Sequence, residues 1–309
     1  MGKTAFVFPG QGAQALGMGL DVYENHSEAR ARFDEADQVL GFPLTEIIFR
    51  GPEEKLKQTA NTQPALLATS IALYEVFKAN GIKPDYVAGH SLGEYSALVV
   101  AGVLDYATAL KLVNKRGIFM EEAVPSGRGG MAAVLGADPD RLAALCEKIS
   151  AETAVVEMAN MNCPGQIVVS GEMKGVEEVA RRAAEEAGAR RVVPLEVSGP
   201  FHSSLMEPAA ARLKQELDMV DMKDAQYPLV ANVTARPVTQ AEEIRSLLVK
   251  QVRSPVLWEQ SIEWLVASGV DTFIEIGPGK VLAGLIRKID RSAKVINIHD
   301  LDSAQQVIG

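Results

Sequence analysis

Short apolar runs alternate along this chain with longer stretches in which apolar residues recur every three or four positions. Residues 5–8, 86–88, 229–231, 272–276 and 295–298 are brief and almost wholly apolar, so each reads as a strand buried on both faces. Residues 61–80 read as a helix, with Pro64 near its start and Leu66, Leu67, Ile71, Leu73, Val76 and Phe77 at helical spacing. A second helical pattern runs from Leu92 through Tyr95, Ala97, Leu98, Val99 and Ala101. A third follows Asp105, a suitable N-cap, and carries Leu110, Val113, Ile118 and Met120. Residues 16–40 show a mixed, charged helical pattern, and 242–252, 258–267 and 281–288 are further helices. Strands alternating with helices imply an α/β fold around a mostly parallel sheet.

Breakers concentrate in Pro125-Ser126-Gly127-Arg128-Gly129-Gly130 and again in Ser198-Gly199-Pro200. Between them the pattern predicts strand 131–135, helix 139–150, strands 155–161 and 166–170, helix 176–187 and strand 192–197. That β-α-β-β-α-β order is the ferredoxin-like arrangement. The expected organisation is therefore a hydrolase-like, mostly parallel sheet domain formed by residues 1–128 and 199–309. Residues 129–198 are expected to form an inserted ferredoxin-like module.

Composition narrows the function classes. The 309 residues are 47% hydrophobic and 23% charged, an ordinary globular balance. A net charge of −9 opposes a general nucleic-acid or membrane-surface role, because the long-range field repels polyanions. Cys146 and Cys163 are the only cysteines and lie at no metal-ligand spacing, so no disulfide framework and no metal site is expected. No apolar run approaches the ~18 residues of a membrane span. The start of the chain shows no charged leader followed by an apolar run, so a cytoplasmic setting is expected.

The candidate chemistry sits in Gly89-His90-Ser91-Leu92-Gly93-Glu94, a Gly-x-Ser-x-Gly between a strand and a helix. There a serine hydroxyl would stand at a sharp turn above a helix N-terminus, whose free N–H groups favour charge developing on a carbonyl oxygen. Acyl transfer is the chemistry this suggests, against a merely structural turn serine. A serine needs a base. Of the four histidines, His26 lies in a polar helical stretch, His299 lies near the C-terminus, and His90 would point away from Ser91 if the strand continued. His202, in Pro200-Phe201-His202-Ser203, remains. Asp105, Asp138 and Asp140 read better as caps or turn residues, and a backbone carbonyl orients an imidazole equally well. A Ser-His pair without a catalytic carboxylate is expected.

These residues resemble the malonyl-CoA:acyl carrier protein transacylase family, related to the acyltransferase domains of polyketide synthases. The likeness spans nearly the whole chain, through Phe8-Pro9-Gly10-Gln11-Gly12-Ala13-Gln14, Thr62-Gln63-Pro64-Ala65-Leu66, the Ser91 motif, Asn160-Met161-Asn162-Cys163-Pro164-Gly165-Gln166, the His202 motif and Glu275-Ile276-Gly277-Pro278-Gly279. The resemblance implies Ser91 as the acylated nucleophile, His202 as its base and the backbone N–H groups of Gln11 and Leu92 as the oxyanion hole. It also implies the Gln251 carbonyl as the acceptor that orients His202, with the Gln251 side chain mattering less than Ser91. Arg116, read alone, would be a solvated surface charge; the resemblance makes it the ligand of the malonyl carboxylate. Phe201 would narrow the pocket against a methyl branch, and Gln63, Asn160 and Gln166 are expected to face the cleft without assigned roles.

The implied reaction is ping-pong transfer of malonyl from malonyl-CoA to the phosphopantetheine thiol of holo acyl carrier protein. It needs no bound cofactor, and carrier docking would be transient and electrostatic on a monomer. Two other classes fit parts of the sequence. Gly10-Gln11-Gly12-Ala13-Gln14-Ala15 matches a loose dinucleotide fingerprint, but no second strand ending in an acidic residue follows within ~30 residues. A serine hydrolase would share Ser91 and His202, and only Arg116 and the choice of thiol over water separate it from a transferase. A non-enzymatic scaffold would leave the ordered catalytic parts unexplained.

Overall fold

The computed structural model describes residues 2–306. Ten strands form two sheets: β1 Lys3–Phe8, β2 Tyr86–Gly89, β3 Gly129–Leu135, β4 Val156–Cys163, β5 Gln166–Glu172, β6 Arg191–Pro194, β7 Leu229–Ala231, β8 Arg236–Val238, β9 Val270–Ile276 and β10 Lys294–Ile298. The larger sheet has the order β10-β9-β1-β2-β7-β8 and is parallel except for β8, an antiparallel edge. Ala5, Phe6, Val7 and Phe8 are all buried in β1 because helices cover both faces, which is why this strand is continuously apolar.

Register places the site. Phe8 pairs with Gly89 and Ala88 with Val230, so the loops leaving β1, β2 and β7 emerge side by side at the carboxyl end of the sheet. The Thr59–Phe77 helix passes through the core, buried on nearly every side. Pro64 lies inside it and has no N–H for the Ala60 carbonyl one turn back. Asn114 Nδ2 supplies that bond instead, at 2.9 Å.

Residues 129–194 form the second sheet, antiparallel, in the order β4-β5-β3-β6. The Pro139–Glu152 and Met173–Glu186 helices pack with it around a core of their own that includes Val134, Leu142, Ile149, Val156, Val169 and Val179. Asp138 caps the first of these helices through Arg141 N–H, and Asp105 caps Tyr106–Glu122 through Thr108 N–H. The end of β4 is sewn to the larger unit: Met161 N–H donates to the Val256 carbonyl at 2.9 Å, and Val256 N–H to that of Ala159 at 2.8 Å.

Several elements differ from expectation. β6 ends at Pro194 rather than at 197. The 16–40 stretch is two helices, Leu20–Asn25 and Ser27–Leu40, divided at His26, whose extended backbone and ring nitrogen cap the second. The Leu44–Arg50, Glu53–Lys57, Glu207–Asp218 and Leu301–Gln306 helices were not anticipated.

Candidate active site

β2 ends at Gly89, and the chain turns sharply through Ser91, whose φ of 50° lies in the left-handed region, into the Gly93–Val100 helix. The flanking glycines permit the turn. A Cβ on Gly93 would stand 2.0 Å from the Phe8 carbonyl oxygen, and one on Gly89 1.9 Å from the Gly93 carbonyl carbon. Ser91 Oγ is thereby presented above the strand end.

His202, also with a positive φ of 58°, brings Nε2 to 2.8 Å from Ser91 Oγ. Its Nδ1 lies 2.8 Å from the Gln251 carbonyl oxygen. A carbonyl only accepts, so Nδ1 carries the proton and the bare Nε2 of the neutral ring accepts from the Ser91 hydroxyl. Burial, with the nearby Arg116 charge adding to it, pushes the His202 pKa down to about 3, so the ring is neutral at physiological pH. Arg116, on the Tyr106–Glu122 helix and only 1% exposed, donates from Nη2 to Ser91 Oγ at 3.1 Å and to Gln251 Oε1 at 2.9 Å. Its Nε is buried without a partner among the described residues. Burial lowers its pKa from the ordinary guanidinium value.

Backbone donors complete the arrangement. At the elbow, Ser91 N–H donates to Asn232 Oδ1 and Gly93 N–H to the His90 carbonyl. In the facing loop, Gly12 N–H donates to Gln14 Oε1 and Ala13 N–H to the Gly10 carbonyl. Among the described residues the N–H groups of Leu92 and Gln11, between these, are left without a protein acceptor. Both residues line a cavity of about 430 Å³ together with Ser91, His202, Arg116, Gln63, Asn160, Gln166 and Phe201. One wall comes from the second sheet, through Asn160, Gln166 and Val168. Such a cavity, with a hydroxyl held between a neutral base and a buried cation, suits attack on an acyl compound that carries an anionic group. Among the described residues no group of three or more His, Cys, Asp or Glu side chains could hold a metal ion.

The comparisons agree with this geometry. The model of the acyl transferase domain matches residues 5–306. The malonyl CoA-acyl carrier protein transacylase of Bacillus subtilis is 54% identical over 308 residues, covering 100% of this chain and 97% of that protein. The chain belongs to the malonyl-CoA:acyl carrier protein transacylase family. The solved transacylase of Coxiella burnetii superposes with a TM-score of 0.96 at 39% identity, covering 99% of this chain and 97% of that one. A malonyl-transacylase solved in complex with its type II PKS acyl-carrier protein gives 0.95 at 42% identity, with 99% of both chains covered.

The expected site residues come together here: all but Gln251 line the cavity, and Gln251 is buried in contact with His202 and Arg116. One expectation is corrected. His90 does not point away: β2 ends at Gly89, strand alternation stops there, and His90 lines the same cavity with Nε2 2.8 Å from Asn162 Oδ1. Burial depresses its pKa. The Gln251 side chain, expected to matter less than Ser91, contacts Arg116 through Oε1 and the Ser91 carbonyl through Nε2. Asn232 and the buried Glu94 were missed. Glu94 had a signal, as a lone carboxylate in the otherwise apolar 92–101 run; Asn232 had none beyond its place after a strand.

Proposed function

We propose that this protein transfers the malonyl group of malonyl-CoA to the phosphopantetheine thiol of acyl carrier protein through a malonyl ester on Ser91. The observation that carries the reading is Ser91 Oγ held between the neutral His202 Nε2 at 2.8 Å and the buried Arg116 Nη2 at 3.1 Å. Nε2 takes the hydroxyl proton as Oγ attacks the thioester carbonyl. The free Gln11 and Leu92 N–H groups receive the oxyanion, each such donor lowering a barrier by about 3 kcal/mol. The tetrahedral intermediate collapses, and CoA leaves with the proton from His202. The phosphopantetheine thiol then gives its proton to the same nitrogen and attacks the ester, and Ser91 regains its proton as malonyl leaves on the carrier.

Arg116 supplies the choice of acyl group. A malonyl carboxylate pairs directly with the guanidinium, whereas acetyl leaves the buried cation with no carboxylate in contact. Phe201 at the cavity wall supports exclusion of branched groups. The strand order β4-β5-β3-β6 with two covering helices supports reading residues 129–198 as an inserted ferredoxin-like module. Among the described residues no helix is long and apolar enough to cross a membrane, and the setting is read as cytoplasmic.

Intact-protein mass spectrometry after brief exposure to malonyl-CoA or acetyl-CoA tests the reading. A malonyl adduct is expected on the wild type and absent from Ser91→Ala. Arg116→Ala is expected to lose malonyl and keep acetyl. Holo carrier protein is expected to discharge the adduct; discharge by water at the same rate would make the protein a hydrolase instead.

A further inference from the structure

Beneath the nucleophile lies a closed set of hydrogen bonds that the transfer steps do not use. Asn232, which follows β7, accepts the Ser91 N–H on Oδ1 at 2.8 Å and donates from Nδ2 to the Gly89 carbonyl at 2.7 Å. Gln251 Nε2 donates to the Ser91 carbonyl at 3.0 Å, and also faces Glu94 Oε2 at 2.7 Å and Asn232 Oδ1 at 3.2 Å. Glu94 Oε2 additionally accepts the Asn232 N–H at 3.3 Å. The left-handed Ser91 peptide is thus held at its N–H, at its carbonyl and at the carbonyl two residues before it.

We propose that Glu94 and Asn232 are positioning residues for acyl transfer: Asn232 clamps the strained Ser91 turn, and Glu94 fixes the orientation of the Gln251 amide that holds Arg116. This rests on the function proposed above.

The physical argument is one of donors and acceptors. The ionised Glu94 offers only acceptors, and the Ser91 carbonyl and Asn232 Oδ1 beside it do so in any protonation state, so the amide nitrogen of Gln251 must face this side. Its oxygen then faces Arg116, the only amide orientation that offers an acceptor to Nη2 of a guanidinium that can only donate. A flipped amide would set oxygen against carboxylate and NH2 against guanidinium. Glu94 therefore acts on Arg116 through an intervening amide, without touching it. Burial pushes the Glu94 pKa up to about 7 against the Gln251 and Asn232 donors and the Arg116 charge. A carboxylate kept at this cost beneath a nucleophile points to a role its size alone would not demand.

The test is single-turnover acylation of Ser91 by malonyl-CoA and by acetyl-CoA in wild type, Glu94→Gln and Asn232→Ala, with folding checked by circular dichroism. Asn232→Ala is expected to slow acylation by both donors alike, about 100-fold, with KM nearly unchanged, since a displaced nucleophile affects the rate constant for any acyl group. Glu94→Gln replaces an acceptor-only group by an amide whose NH2 can donate to a turned Gln251 oxygen, and is expected to cut the preference for malonyl over acetyl about tenfold. An unchanged preference in a folded Glu94→Gln, or wild-type acylation by Asn232→Ala, overturns the proposal. Should Glu94→Gln not fold, the Asn232→Ala rates decide alone. A wild type that forms no malonyl-Ser91 sinks the proposed function itself, whereas normal wild-type acylation with indifferent variants sinks only this inference.

Discussion

At the scale of single residues, the site is organised by what each polar atom is unable to do. The Gln251 carbonyl cannot donate, so the His202 proton sits on Nδ1 and Nε2 is free to accept from Ser91. Burial and the Arg116 charge then hold this base neutral down to about pH 3. The sign of the pH dependence follows: a base must be neutral to act, so acylation is lost only as pH falls through the folded-state value. The kcat/KM for malonyl-CoA should show no inflection at the ordinary histidine pKa of about 6.5. Glu94, raised to about 7 by burial and hydrogen-bonded to the Gln251 amide, is able to mimic such an inflection. A break near neutrality that persists in Glu94→Gln and in Glu275→Gln would belong to His202 and contradict the assignment. Linkage gives a companion expectation. A depressed histidine contributes stability that is present above about pH 6.5 and lost as pH falls toward 3. Replacing His202 by Asn should therefore flatten the acid side of the denaturant-midpoint profile.

At the scale of elements, close backbone approach is what places these residues, and Gly93 tests it most sharply. Its Cβ would meet the Phe8 carbonyl oxygen, a backbone atom that cannot swing aside, at 2.0 Å. Gly93→Ala should lower unfolding stability by about 1–3 kcal/mol in urea titrations and reduce Ser91 acylation more than stability alone explains, because the elbow must move. An unaltered midpoint and rate would show that the turn relaxes freely. The same elements show how far the sequence could be read. The core strands were legible because burial on both faces makes their central residues apolar, without a break in residues 5–8 of β1 and interrupted only by Glu275 in residues 273–276 of β9. The Glu207–Asp218 helix was not, because its buried stripe is Ala209, Ala210, Leu213 and Leu217, half alanine and weak in contrast. Ser91 and its glycines announced themselves locally. Arg116 did not: it stands on a helix with Lys111 and Lys115 nearby, and only the tertiary fold decides which cation is buried. Asn232 and the Gln251 amide act through contacts more than 130 residues distant in the chain, at 2.8 and 3.0 Å from Ser91 atoms, which no local pattern encodes.

At the scale of the whole molecule, the cavity lies between two sheets, the second of which packs its helices around a core of its own, and the segment from Gln251 to Val256 touches both. One end orients His202 and Arg116; the other is hydrogen-bonded to β4 beside Asn160. If residues 129–198 are the inserted module proposed above, they should loosen as a unit when their own core is damaged. Leu142 is fully buried in that core and does not line the cavity. Leu142→Ala should cost about 2–5 kcal/mol of local stability. Hydrogen exchange read by mass spectrometry should accelerate across residues 129–194 while β1, β2 and β9 keep wild-type protection. Uniform acceleration through both sheets would mean a single cooperative unit and would remove the module as a separate domain. The seam at Val256 adds a functional consequence. Loosening β4 releases one anchor of the segment whose other end holds the base and the arginine, so malonyl transfer should decline together with exchange protection at residues 251–256, even though no substituted atom lies in the site.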